Sequence, residues 1–150
     1  METTPNASRR ALLGAGAAVL GVAALSGPLS AQMDHSQHGP KGAYAQLIQA
    51  TNHCRLTALA CEKHCISALK TGDTELVDCL ASVTEMLPVI EATNRYAILD
   101  ATRLKELAAV CAQVCADCAK TCKKHIKEHK ECKDCYDSCL ECEKACKAVA

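Results

Sequence analysis

From residue 43 onward, apolar positions recur every three or four residues, the period of a helix and not the alternation of a strand. Leu76, Leu80, Val83, Leu87 and Ile90 form one such stripe, with Cys79 beside it. Further along, cysteine holds the stripe. "CAQVCADCAKTC" (residues 111–122) spaces its cysteines by four, three and four, and "CKDCYDSCLECEKAC" (132–146) by three, four, three and four. After Gly42 the only other glycine is Gly72 and the only other proline is Pro88, so the closely spaced turn residues that hairpins need are missing. Ala, Leu, Lys and Glu, all strong helix formers, dominate instead.

The breaks divide the chain into four helical segments, at roughly 43–71, 74–98, 101–125 and 129–148. Gly72 ends the first, and Asp73 or Thr74 is placed to cap the second. Asp100 or Thr102 marks the start of the third, and a further turn is expected near His125 to His129. Pro88 falls inside the second segment and predicts a kink or two shorter pieces. Four helices joined by short turns predict an all-α antiparallel four-helix bundle over residues 43–150.

At about 100° per residue, Cys111, Cys115, Cys118 and Cys122 fall within roughly 60° of one another. Cys132, Cys135, Cys139, Cys142 and Cys146 span roughly 80°, and Cys54, Cys61 and Cys65 roughly 40°. Cysteine therefore takes the core-facing stripe of three helices, while the Lys and Glu residues between face water. Composition agrees: the chain has 13 Cys, three Tyr, and no Phe or Trp. Its core must be built from aliphatic side chains and sulfur, and free cysteine packs as a small apolar residue.

The first 31 residues read as a targeting segment. Arg9 and Arg10 precede the apolar run "ALLGAGAAVLGVAAL", a pattern similar to a twin-arginine export signal and short for a membrane span. Processing is expected after Ala31, with Ser26 as the alternative, and implies export to the periplasm or an internal membrane lumen. Residues 32–42 read as a flexible lead. Removing residues 1–31 leaves 15 of the 17 basic and 16 of the 17 acidic residues, a formal charge of −1. That balance points to neither nucleic acid nor a membrane surface.

Four chemistries compete for such a lining. Disulfides suit an exported chain, but 13 is odd, and neighbours three or four apart on one helix point the same way and bridge poorly. Packing alone suits one or two thiols, not three registered stripes. Iron–sulfur ligands come mostly from compact loops, whereas these lie along helices. Metal–thiolate storage remains. Zinc closes tetrahedral sites of four thiolates, each with two negative charges that are costly to bury. Cu(I) is soft, prefers thiolate and accepts two or three sulfurs. One ion per thiolate makes a neutral network, so Cu(I) is favoured, with a zinc or mixed-metal detoxification sink as the alternative.

The remaining signals are weaker. His64, in "CEKHC" beside Cys65, is a candidate ligand at one end of the bundle, and His53 precedes Cys54. Met33, His35 and His38 lie in the lead, where a solvated tail is the plainer reading. His125 and His129 belong to the polar turn, and Met86 to the core. The lysines from Lys120 to Lys133 read as a solvated face. There is no serine-centred motif and no glycine-rich phosphate loop, so the chain does not read as an enzyme.

Together with the export signal, "CEKHC", "CAQVCADCAKTC" and "CKDCYDSCLECEKAC" resemble the bacterial copper storage proteins, in their exported branch, over about residues 43–148. That resemblance implies a four-helix bundle, a homotetramer, and many Cu(I) ions held inside. It implies as ligands Cys54, Cys61, Cys65, Cys79, Cys111, Cys115, Cys118, Cys122, Cys132, Cys135, Cys139, Cys142 and Cys146, with His64 at the mouth and a copper enzyme as the acceptor. Exported members carry methionines around that mouth. Here Ala68, Thr71 and Leu76 stand in that neighbourhood.

Overall fold

The computed structural model describes residues 42–150. The segment expected to be an export signal, and Met33, His35 and His38, lie outside them. The described chain forms four helices: α1 (Ala45–Lys70), α2 (Val77–Ile98), α3 (Leu104–Cys122) and α4 (Lys130–Lys147). Each packs against its two neighbours in a closed ring, α1 on α2 and α4, α3 on α2 and α4. Cross-helix pairs run in opposite senses, as in Thr57 to Ser138 and Cys61 to Cys132 between α1 and α4, so the bundle is antiparallel throughout.

The turns explain where the helices stop. Gly72 has φ +92°; its N–H donates to the Leu69 carbonyl (3.1 Å), and the Asp73 N–H reaches back to Ala68 (3.1 Å). This pair of backward bonds closes a helix when the residue between is left-handed, and it ends α1 where the sequence places the break. The same pattern recurs at Asp100, φ +49°, with Asp100 N–H to Ala97 (3.4 Å) and Ala101 N–H to Tyr96 (3.0 Å). Asp100 therefore ends α2 and does not start α3, a correction to the sequence reading. A short polar side chain tolerates the left-handed region better than most, so an aspartate does here what a glycine does at position 72.

Two further expectations shift. Asp73 does not cap α2: its Oδ1 accepts from the Glu75 N–H at 3.0 Å, within the turn, and α2 begins at Val77. Pro88 does not split α2, which runs unbroken through it. Pro88 is exposed, so the carbonyl that loses its partner faces water, which satisfies it. The buried residues of α2 are Cys79, Val83, Met86, Leu87, Ile90, Thr93 and Ala97, with Leu76 buried just before the helix. Leu80 is half-buried on its flank.

All 13 cysteines are fully buried and line the axis. Leu47, Ile90, Ala97 and Leu104 close the end where α1 begins and α2 ends, while Leu76 and His125 lie at the opposite end. Hydroxyl and amide pairs flank this sulfur column: Thr57 with Ser138 (2.5 Å), Ser82 with Thr121 (2.5 Å), and Asn94 donating to Thr51 (2.8 Å). Among the described residues no buried side-chain nitrogen or oxygen lacks a partner.

Candidate metal centre

The helical spacing of three and four sets successive thiols of one helix on one face, and antiparallel packing brings the four faces together. Sulfur then meets sulfur. Cys79 and Cys122 are 3.3 Å apart, Cys61 and Cys79 3.7 Å, Cys61 and Cys132 3.9 Å. Cys118 stands 3.9 Å from Cys122 and 4.0 Å from Cys135, Cys135 3.9 Å from Cys139, and Cys139 3.7 Å from Cys54.

Five groups have all their sulfurs within 4.8 Å of one another: Cys61, Cys65, Cys79 and Cys132; Cys61, Cys122 and Cys135; Cys118, Cys135 and Cys139; Cys54, Cys115 and Cys142; Cys111, Cys142 and Cys146. Every cysteine belongs to at least one. Shared members and the Cys54–Cys139 contact join the groups into one chain of sulfur from the Cys65 end to the Cys146 end. With metal–thiolate bonds of about 2.3 Å, three sulfurs around one ion stand about 4.0 Å apart and two on opposite sides about 4.6 Å. The observed contacts, 3.3–4.0 Å, lie at or slightly inside those values and far from the roughly 2.0 Å of a disulfide bond. The cysteines are free thiols.

Proximity also divides the thiols by acidity. Cys54, Cys79, Cys111 and Cys135, one on each helix, are pushed well below the ordinary thiol value, because neighbouring thiols donate hydrogen bonds to their thiolates: Cys115, Cys122, Cys115 and Cys118 respectively contribute most. Their neighbours move the other way. Cys61, Cys115, Cys122, Cys139 and Cys142 are raised, through Cys122, Cys111, Cys118, Cys118 and Cys111 respectively, with burial adding to each. Cys146 is pushed up to about 12, chiefly by Cys111. Among neighbouring thiols, loss of one proton is favoured over loss of the next. Monovalent cations entering with each further thiolate remove that obstacle.

The histidines separate clearly. His53 is exposed and pairs with Glu141 (3.4 Å) on the surface. His64 stands at the Cys65 end, half-buried, with Nε2 2.9 Å from Nδ1 of His129 and Nδ1 3.6 Å from Glu131. His129 stacks edge-on against the buried His125, ring centroids 6.2 Å apart. His64 lies beside a surface depression lined by Lys63, Ser67 and Glu131. The sequence reading left His129 in a polar turn and missed its contact with His64. An antiparallel bundle places the end of its first helix beside the start of its fourth, so the two positions together carried the signal. No methionine joins this end among the described residues. The one described methionine, Met86, is buried with its Sδ 3.5 Å from Cys139 Sγ.

Comparison with known proteins agrees with this geometry. Residues 41–150 match the family model described as "Copper storage protein". A copper storage protein from Streptomyces lividans loaded with 10 copper equivalents superposes with a TM-score of 0.65, at 26% identity, covering 71% of this chain and 82% of that one. A structure of a cytosolic copper storage protein from Streptomyces lividans with five coppers gives 0.64 at 28% identity, over 71% and 90% of the two chains. The Cu(I)-bound copper storage protein BsCsp3 shares the fold, with a TM-score of 0.64 at 24% identity, over 72% and 99%. None of the curated proteins matches the chain.

Proposed function

The chain belongs to the copper storage protein family, and from that premise we propose that its thirteen cysteines are the ligands of a Cu(I) store filling the bundle interior. One observation carries this reading: every thiol is fully buried and lies within 4.8 Å of at least two others, in one unbroken chain. Discrete structural or catalytic sites leave gaps between clusters, and a store does not. Cu(I) suits the lining because each ion cancels the charge of one thiolate. The zinc alternative would bury net negative charge. Offering the reduced protein equal amounts of Cu(I) and Zn(II), then measuring bound metal after desalting, distinguishes them. Copper alone is expected; retention of zinc at comparable amounts would contradict the reading.

His64 serves as the mouth ligand, at the end where Cys65, Cys61, Cys79 and Cys132 form the outermost group. It is half-buried beside Cys65 in the chain, with its ring toward His129 and Glu131 at the rim of the bundle. His129 is hydrogen-bonded to it and fixes its orientation. Copper taken up here passes inward by exchange between neighbouring thiols, each step spanning no more than the distances above.

No helix among the described residues is long and apolar enough to cross a membrane. Arg9 and Arg10 before the apolar run support export by the twin-arginine route. Such a route carries folded chains, which lets the bundle close over its thiols before it meets an oxidising compartment. The exported form assembles as a homotetramer and hands copper to a copper enzyme. Cell fractionation with mass determination of the processed chain tests the export reading, and light scattering of that form tests the assembly. A full-length chain confined to the cytoplasm would contradict export.

A further inference from the structure

Three helices contribute several thiols each, but α2 contributes only Cys79, near the mouth. Further along the inner face of α2 come Val83, Met86, Ile90 and Thr93. At mid-bundle the other three helices still present sulfur. Cys139 of α4 is 3.7 Å from Cys54 of α1, and Cys54 lies within 4.8 Å of Cys115 of α3. The Cys139 thiol also points at the Sδ of Met86, 3.5 Å away. All four helices therefore bring a sulfur to this level, and the one from α2 is a thioether.

We propose that Met86 is a fourteenth sulfur ligand, holding a Cu(I) ion at mid-bundle together with Cys139, with Cys54 as the third donor. The inference rests on the thiolate-store reading above. Two sulfurs 3.5 Å apart sit on one ion at an angle of about 100° when the bonds are about 2.3 Å, which suits three- or four-fold coordination. Thioethers select soft Cu(I) and bring no charge. The Cys139 thiolate, the Met86 thioether and one Cu(I) make a neutral unit, and Cys54, shared with its own group of Cys115 and Cys142, completes the coordination. Methionine is also unbranched, with three rotatable bonds, and its sulfur can follow the ion as filling proceeds. An aliphatic side chain of the same volume would pack this gap equally well and offer no lone pair.

The test uses the full chain carrying selenomethionine, fully loaded with Cu(I), and its Met86→Leu variant prepared the same way. Selenium-edge X-ray absorption is expected to show a copper neighbour at bonding distance for about one of the chain's three methionines, and to lose it in the variant. Copper loaded to the full thiol complement with no copper near selenium, or a copper neighbour that survives Met86→Leu, overturns the assignment of Met86 and leaves the thiolate store intact. A chain that takes up no copper overturns both. Met86→Leu conserves volume, and the selenium spectrum of the unsubstituted chain decides the matter by itself if the variant fails to fold.

Discussion

Cys79 Sγ stands 3.3 Å from Cys122 Sγ across the α2–α3 interface, the shortest sulfur contact in the bundle. It joins the only cysteine of α2 to the last of α3, and through Cys61 and Cys118 it connects the mouth group to the interior. Cys79→Ser is expected to lower Cu(I) capacity by about one or two ions, since the ligand is shared within its group, while the helical content stays unchanged. Metal analysis and far-ultraviolet circular dichroism check both halves. An unaltered capacity would remove Cys79 from the ligand set.

The contact between His64 and His129 predicts a separation of rate from capacity. His64→Ala should slow Cu(I) uptake from a chelator several-fold and leave the final number of ions within one of the parent value. His129→Ala should do the same more weakly, because it orients His64 and is not itself the first donor. Stopped-flow loading followed by equilibrium metal analysis separates the two quantities.

The divided acidities predict how the metal-free form responds to pH. Cys54, Cys79, Cys111 and Cys135 are depressed in the fold, so their contribution is present above the ordinary thiol value of 9.0 and falls away as pH drops below it. The raised thiols, with Cys146 at about 12, act in the opposite sense: their contribution is intact below 9.0 and is lost as pH rises toward 12. The reduced, metal-free protein should therefore be most stable toward denaturant near pH 9. Copper-loaded protein, whose ligands carry no titrating protons, should show no such maximum.

Asp100 occupies the left-handed region at φ +49° and is exposed, with only its backbone engaged in ending α2. Asp100→Gly removes the conformational cost there and is expected to stabilise the metal-free bundle by about 0.5–1 kcal/mol, read as a higher denaturation midpoint. Copper capacity should not change.

Much of this molecule could be read before it was folded. Cysteine at helical spacing names its own face, and Gly72 marks a break that any sequence reader can see. The turn at Asp100 could not be assigned from its residue type alone, because aspartate both starts helices and tolerates the left-handed region. Only the bonds back to Tyr96 and Ala97 decide between them. Whether Pro88 divides its helix is open in the sequence for a related reason: that depends on whether the orphaned carbonyl faces water. The roles of His129 and Met86 are tertiary, set by what stands opposite them on another helix. Their own neighbours in the chain say nothing of Cys139 or His64.

The central claim is that the whole sulfur column stores Cu(I). The most direct test is an anaerobic titration of the fully reduced protein with Cu(I), in competition with a tight Cu(I) chelator. The expected result is uptake on the order of one ion per thiol, retained against the chelator, with every thiol protected from alkylation at saturation. Saturation at one to four ions, with most thiols still reactive, would contradict it.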